Sequence, residues 1–224
     1  MSDKLKCLNL SSTGTLSSLF TVQLIVGDKK ANPMHLDIEK LKNCTADEID
    51  GMSSARMLFV FQRLILKSYT RPLTEDEEKM VRKGDLEIEF ERARRDYNYG
   101  APSRLSCLYL VENNDWGRDT LGNMFRGVFK APMILNVSIV NELSLMKFDH
   151  NWVDLYYKDP KEEYLENYWQ GKMYDENAPA WEYLLEGTIQ LTEATQKKEI
   201  EDYAMKNYSN YLRTPPTAAD QVNS

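Results

Sequence analysis

The run Trp181-Glu182-Tyr183-Leu184-Leu185-Glu186-Gly187-Thr188-Ile189-Gln190-Leu191 constrains this chain more than any other segment. Its β-favouring, mostly apolar residues read as a buried strand over 182–191, yet a carboxylate stands at its start. Burying an unpaired carboxylate costs on the order of several kcal/mol, so Glu182 needs a partner or a chemical role. A second unusual strand entry, at Pro102-Ser103-Arg104, opens the run over 103–111 with an arginine instead of an acid. An arginine and a glutamate at the starts of two strands, with tryptophans and tyrosines between them, can hold an anionic cofactor and stabilise a cation made from it.

Bulk properties bound the alternatives. The chain has 224 residues, enough for one domain with a real core. Its net charge of −7 argues against broad, phosphate-driven binding of nucleic acid, though not against a local basic groove. Cys7, Cys44 and Cys107 are far apart and lack metal-ligand spacing, and the two histidines, His35 and His150, are too few for a histidine-rich metal site. Cys107 reads as a small core hydrophobe and His150 as a surface or loop residue. A polar N-terminus and the absence of any run of eighteen or more apolar residues suggest a cytoplasmic protein without a membrane span.

Along the chain, Leu19–Val26 reads as an early strand and Thr45-Ala46-Asp47-Glu48 as a helix start. Ser53 or Ser54 caps a helix running to about Tyr69, with apolar residues around most of its circumference. Thr74-Glu75-Asp76-Glu77 is a second capping box, with Gly84 as the expected stop. A further helix over 85–97 places Leu86, Phe90, Ala93 and Tyr97 on one face. Its run of Glu87, Glu89, Glu91, Arg92, Arg94 and Arg95 reads as a solvated face with pairs such as Glu91–Arg95. Strands are expected over 103–111, 127–140 and 182–191, then a helix over 192–212. The order of elements suits an α+β domain: residues 1–213 as one unit, helical over about 45–98 and strand-rich over about 99–192, with a flexible 214–224 tail.

No P-loop, dinucleotide-binding glycine fingerprint, H-E-x-x-H or G-x-S-x-G is present. P-loop ATP hydrolysis and Rossmann redox chemistry are therefore disfavoured.

Four pieces then occur in order: Pro102-Ser103-Arg104, Asp149-x-x-Trp152, Tyr168-Trp169-x-Gly171 and Trp181-Glu182-x-Leu184-Leu185-x-Gly187. Together they resemble a family of bacterial and phage domains that look like ADP-ribosyltransferases. The resemblance covers roughly residues 85–192. It implies split antiparallel sheets around a cleft that binds NAD as co-substrate. It also implies that Arg104 holds the ribose or phosphate side and that Glu182 stabilises the ribosyl oxocarbenium ion as nicotinamide leaves. Tyr168 and Trp169 would sandwich the nicotinamide ring, with Tyr109, Trp152 and Trp181 as further cofactor-binding aromatics. A macromolecular acceptor, nucleic acid or protein, is implied, as is an antitoxin or inhibitor partner if the domain acts as a toxin or in phage–host conflict. A nucleic-acid acceptor would need a groove lined by Arg92, Arg94, Arg95, Arg104, Arg118 and Arg126, with Trp116 or Tyr99 stacking on a base.

Two departures narrow the resemblance. Arginine-modifying members carry a second glutamate where this chain has Ala180, so an arginine side chain is a poor acceptor. The Ser-Thr-Ser segment of some members has only Asn136-Val137-Ser138 as a counterpart. Plain structural roles stay open for each residue: ion pairs for Arg104 and Glu182, core packing for Tyr168 and Trp169, and a cap or turn for Asp149. A non-catalytic interaction module and an NAD glycohydrolase are the competing functions.

Overall fold

The sheet is organised around its last strand. The computed structural model describes residues 15–18, 20–21, 30–31, 55–124, 134–193, 195–196, 198–200 and 202. Among these, β1 (Thr15–Ser17), β2 (Phe20–Thr21) and β3 (Lys30–Ala31) precede α1 (Ala55–Lys67) and α2 (Glu75–Tyr97). Then come β4 (Leu108–Leu110), α3 (Asp115–Met124), β5 (Val137–Asp149), α4 (Asn151–Lys158), α5 (Glu162–Trp169) and β6 (Trp181–Leu191). β6 pairs antiparallel with β5 along its whole length, from Val137↔Leu191 to Asp149↔Trp181. Its other edge is shared by β4, through Leu108↔Leu185, and β1, through Thr15↔Gln190. β2 and β3 form a separate two-stranded ladder. The architecture is α+β.

Gly187 is where this sheet demands a residue without a side chain. A Cβ there would meet the Asn141 carbonyl oxygen at 2.2 Å, beside the two register shifts of β5. The Ser18 hydroxyl also closes on Gly187, accepting from its N–H at 2.8 Å.

The core lies on the sheet face covered by α2, α4 and α5. Leu86, Phe90 and Ala93 of α2 meet Phe148 of β5, Leu184 of β6, Val153 of α4, and Leu165, Tyr168 and Trp169 of α5. Phe148 stacks on Tyr168 with ring centroids 4.8 Å apart, and Trp169 packs edge-on to both. Cys107 is a buried member of this cluster, as its sequence context predicts.

Several expected boundaries shift. The helix start at 74 is confirmed: Thr74 Oγ1 accepts from Glu77 N–H at 3.3 Å, and Glu77 Oε2 accepts from Thr74 N–H at 2.8 Å. Gly84 does not stop it; one helix continues to Tyr97. Gly84 instead lets α1 approach, since a Cβ there would sit 2.6 Å from both Phe59 O and Arg63 Cβ. The solvated-face reading of α2 is corrected too, because Glu87 and Glu91 are buried. Residues 103–107 form turns, leaving only Leu108–Leu110 as strand. Of the strand expected over 127–140, residues 127–133 lie outside the described residues; β5 covers Val137–Asp149 and so runs nine residues past the expected end, and the region between it and β6 holds two helices. The predicted strand at 19–26 is described only at Phe20–Thr21, and the tail helix only at a few residues between 195 and 202. The helix start at 45 and the 214–224 tail lie outside the described residues. Among the described residues no helix is long and apolar enough to cross a membrane.

Two stability outcomes follow from α2. Gly84→Ala gains up to about 1 kcal/mol of helix propensity. The steric conflict with α1 costs about 1–3 kcal/mol and should win, giving a lower urea midpoint. Glu77 hydrogen-bonds Arg71 and the Thr74 backbone, which lowers its pKa from 4.5 to about 2. The folded value is depressed, so its contribution is complete above the unfolded value and disappears as pH falls through about 2. Acid titrations followed by circular dichroism should show Glu77→Gln losing part of the wild-type pH dependence in that window.

Candidate functional site

Residues 98–107 connect α2 to β4 by folding back on α2. Arg94 donates to the carbonyls of Tyr99 at 2.8 Å and Ala101 at 3.0 Å, and it pairs with Glu91 at 2.7 Å. The Ser103 hydroxyl donates to the other Glu91 oxygen at 2.7 Å, and the Ser103 carbonyl accepts from Cys107 N–H at 2.9 Å. This closes a turn that turns Arg104 inward, where it has no solvent exposure at all. Arg104 thus acts from a turn held on a helix, not from the start of a strand.

Around the guanidinium sit groups from four parts of the chain. Arg104 Nε donates to Glu87 Oε2 at 3.1 Å and Nη2 to Glu87 Oε1 at 3.3 Å, a forked contact. Nη1 donates to Glu182 Oε1 and, at 2.6 Å, to the Tyr168 hydroxyl. That hydroxyl in turn donates to Glu182 Oε1 at 2.6 Å. The rings of Phe90 and Tyr168, each 5.2 Å away, and Tyr109, 5.7 Å away, flank the cation. Burial opposes the charge on Arg104, but the carboxylates of Glu182 and Glu87 outweigh it and hold its pKa well above the usual value. Burial, with Glu182 alongside, raises the Tyr168 pKa well above its ordinary value despite the nearby guanidinium, so the phenol remains a donor.

Glu182 is delivered by β-strand alternation, which carries it to the core face with Leu184, opposite Phe148 of β5. Its second oxygen, Oε2, lies 3.2 Å from His150 Nδ1. His150 lies in the turn between β5 and α4, as the loop half of its reading has it, but at only 7% exposed it is not on the surface. Asp149 fulfils the turn role expected of it. Wholly buried, it accepts from the N–H groups of Asn151 at 3.1 Å, Tyr174 at 2.9 Å and Ala180 at 3.0 Å.

Beside this network lies a cavity of about 510 Å³, within the usual range for small-molecule sites. Glu87 and His150 belong to both network and wall, whereas Arg104 and Glu182 sit behind them. The wall also carries Asp119, Asp154 and Lys83, and Trp116, 53% exposed, whose indole N–H donates to Pro179 O at 2.8 Å.

The other expected site residues divide. Tyr168 joins the network through its hydroxyl, but it and Trp169 are fully buried and offer no face to a nicotinamide ring. Trp169 is a core residue whose indole donates to Phe90 O at 2.8 Å. Tyr109 donates to Arg104 O at 2.8 Å and faces a separate cavity of about 280 Å³. Trp152 packs with Tyr164 and Tyr174 and donates to Lys172 O, while Trp181 lies under Lys147, 4.2 Å from its ring centre. Ser138 pairs with Gln190 at the far end of the ladder from Glu182. The arginines that a nucleic-acid acceptor would need in a groove are largely engaged elsewhere. Arg92, Arg94, Arg95 and Arg118 are each paired with carboxylates, Arg104 is buried, and Arg126 lies outside the described residues.

Two members of the network were not singled out from sequence. Glu87 carries a readable signal: with Glu91 it follows Leu86 and Phe90 by one residue each, at the border of the apolar face. For His150 no local signal exists, because its contact depends on the β5–β6 register.

The family described as "Protein of unknown function (DUF2441)" matches residues 27–202, well over half the chain. The chain belongs to that family. The DUF2441 match spans every member of the network, from Glu87 to Glu182. No curated protein matches the chain.

Removing the cation tests the electrostatics. Arg104→Met would leave two buried carboxylates without it, and breaking such a pair costs about 3–5 kcal/mol. Urea unfolding should show a loss of that size; a loss below about 1 kcal/mol would mean that water reaches the carboxylates.

Proposed function

We propose that this DUF2441 chain is an NAD-dependent mono-ADP-ribosyltransferase, with an ADP-ribosyltransferase-like arrangement of its antiparallel strands. The observation that carries the reading is the meeting of Arg104 and Glu182, 78 positions apart in sequence, immediately behind a cavity. The guanidinium is suited to ribose or phosphate oxygens, and the carboxylate to the positive charge that develops on the ribose as nicotinamide leaves.

Because the two bind each other, NAD must exchange partners with them. A phosphate or ribose oxygen replaces Glu182 on Arg104, and a ribose hydroxyl replaces Arg104 on Glu182. Such an exchange avoids exposing either buried charge without compensation, which would cost several kcal/mol in order of magnitude. The aromatic surface available on the cavity wall comes from Trp116 and the half-buried Tyr157, not from Trp169. The acidic wall and the paired arginines favour a protein acceptor over a nucleic acid, whose phosphates they would repel. A role as a toxin or in phage–host conflict, with an inhibitor partner, accompanies this reading.

One observation favours a non-catalytic interaction module instead: Arg104 and Glu182 have no solvent exposure, as in a purely structural ion pair. Labelled NAD incubated with the chain and separate pools of protein, DNA and RNA decides between them. Transferase activity predicts nicotinamide release and label in the protein pool. Release without label identifies a glycohydrolase, and no release supports the module. Glu182→Gln should abolish release while circular dichroism stays unchanged; an unaltered rate would remove Glu182 from the chemistry.

A further inference from the structure

We infer that His150 is the proton-accepting residue of this site, held by Glu182 and presented to the 510 Å³ cavity. The inference rests on the proposed transferase reading for its substrate. Its structural basis is separate.

The geometry is that of an oriented imidazole. Nδ1 is within hydrogen-bond distance of the buried Glu182 carboxylate, 3.2 Å from Oε2. A carboxylate can only accept, so the neutral ring carries its proton on Nδ1 and leaves the Nε2 lone pair available. Nε2 lies 3.9 Å from Asp154 Oδ1, beyond hydrogen-bond reach, and both residues line the cavity. The backbone is fixed as well: His150 N–H donates to Ala180 O at 2.8 Å, and Asp149 beside it holds three N–H groups. Glu87, the other group shared by network and wall, is engaged with Arg104. His150 is therefore the member of the network best placed to meet an acceptor in the cavity.

The acceptor's O–H or N–H proton passes to His150 Nε2, while the acceptor's electron pair forms a bond to the ribose C1 carbon. The C1–nicotinamide bond breaks, and its pair leaves on neutral nicotinamide. The imidazolium then returns its proton to water. During transfer the Glu182 carboxylate faces positive charge on both sides, the ribosyl cation and the imidazolium.

Two measurements test this. Long-range ¹H–¹⁵N spectra of the labelled chain, taken where the ring is neutral and assigned with His35→Ala, should show the Nδ1–H tautomer for His150. The Nε2–H tautomer would overturn the inference whether or not the chain turns over NAD. In the kinetic arm, His150→Ala should lower kcat for transfer by about 10²–10⁴-fold with the NAD KM little changed. Added imidazole should restore part of the rate. Loss confined to KM, or no rescue in a variant with unchanged circular dichroism, would assign His150 a structural role. If the wild-type chain releases no nicotinamide, the transferase reading fails, and the tautomer still decides whether a base faces the cavity.

Discussion

A guanidinium with no access to water must find all its compensation inside the protein, and that requirement organises this molecule. Desolvating Arg104 costs several kcal/mol in order of magnitude, and no single neighbour offsets it. Glu87 comes from a helix, Glu182 from the central strand, and the Tyr168 hydroxyl from a second helix. Each group has to arrive within hydrogen-bond distance for the others to be tolerated. Helix α2, the turn after it, α5 and β6 are thereby bound to one geometry. The aromatic rings packed around the same point supply the apolar burial that keeps water out.

The same closure bears on the proposed transferase chemistry. A site of this kind is complete before a ligand enters, with every charge already answered. Under the proposed reading, NAD binding is a substitution of partners rather than a filling of empty positions. The accessible surface of the site is consequently set by the residues that border the network, Glu87 and His150, more than by the pair at its centre.

How much of this was legible depended on the range of the interactions. The capping box at Thr74–Glu77 is local, and the sequence pattern locates it. So is the alternation that turns Glu182 into the core, which made the strand at 182–191 recognisable with its acid in place. That Arg104 and Glu182 belong together was readable from the unusual charges at two strand starts and from the resemblance between ordered motifs, but not their direct contact. Local rules failed where distant packing overrode them. Gly84 has the composition of a stop, but α1 needs the space its missing side chain provides. Glu87 and Glu91 sit in a run that looks uniformly solvated, yet Arg104 and Ser103 lie over one side of it. For Tyr168 and Trp169 the sequence leaves both a ligand-binding and a core role open, because aromatic residues serve both and composition does not separate the two.

The connection between α5 and β6 is fastened along its length. Lys172 O, Tyr174 N–H, Ala178 O, Pro179 O and Ala180 N–H are all bonded to Trp152, Asp149, Asn151 or Trp116. Only the turn around Asp175–Asn177 projects between these fastenings. Substitutions or insertions at that tip can therefore accumulate without disturbing the register that sets Glu182 against His150. Divergence among relatives can remodel the outer rim next to Ala178 while the interior stays constant.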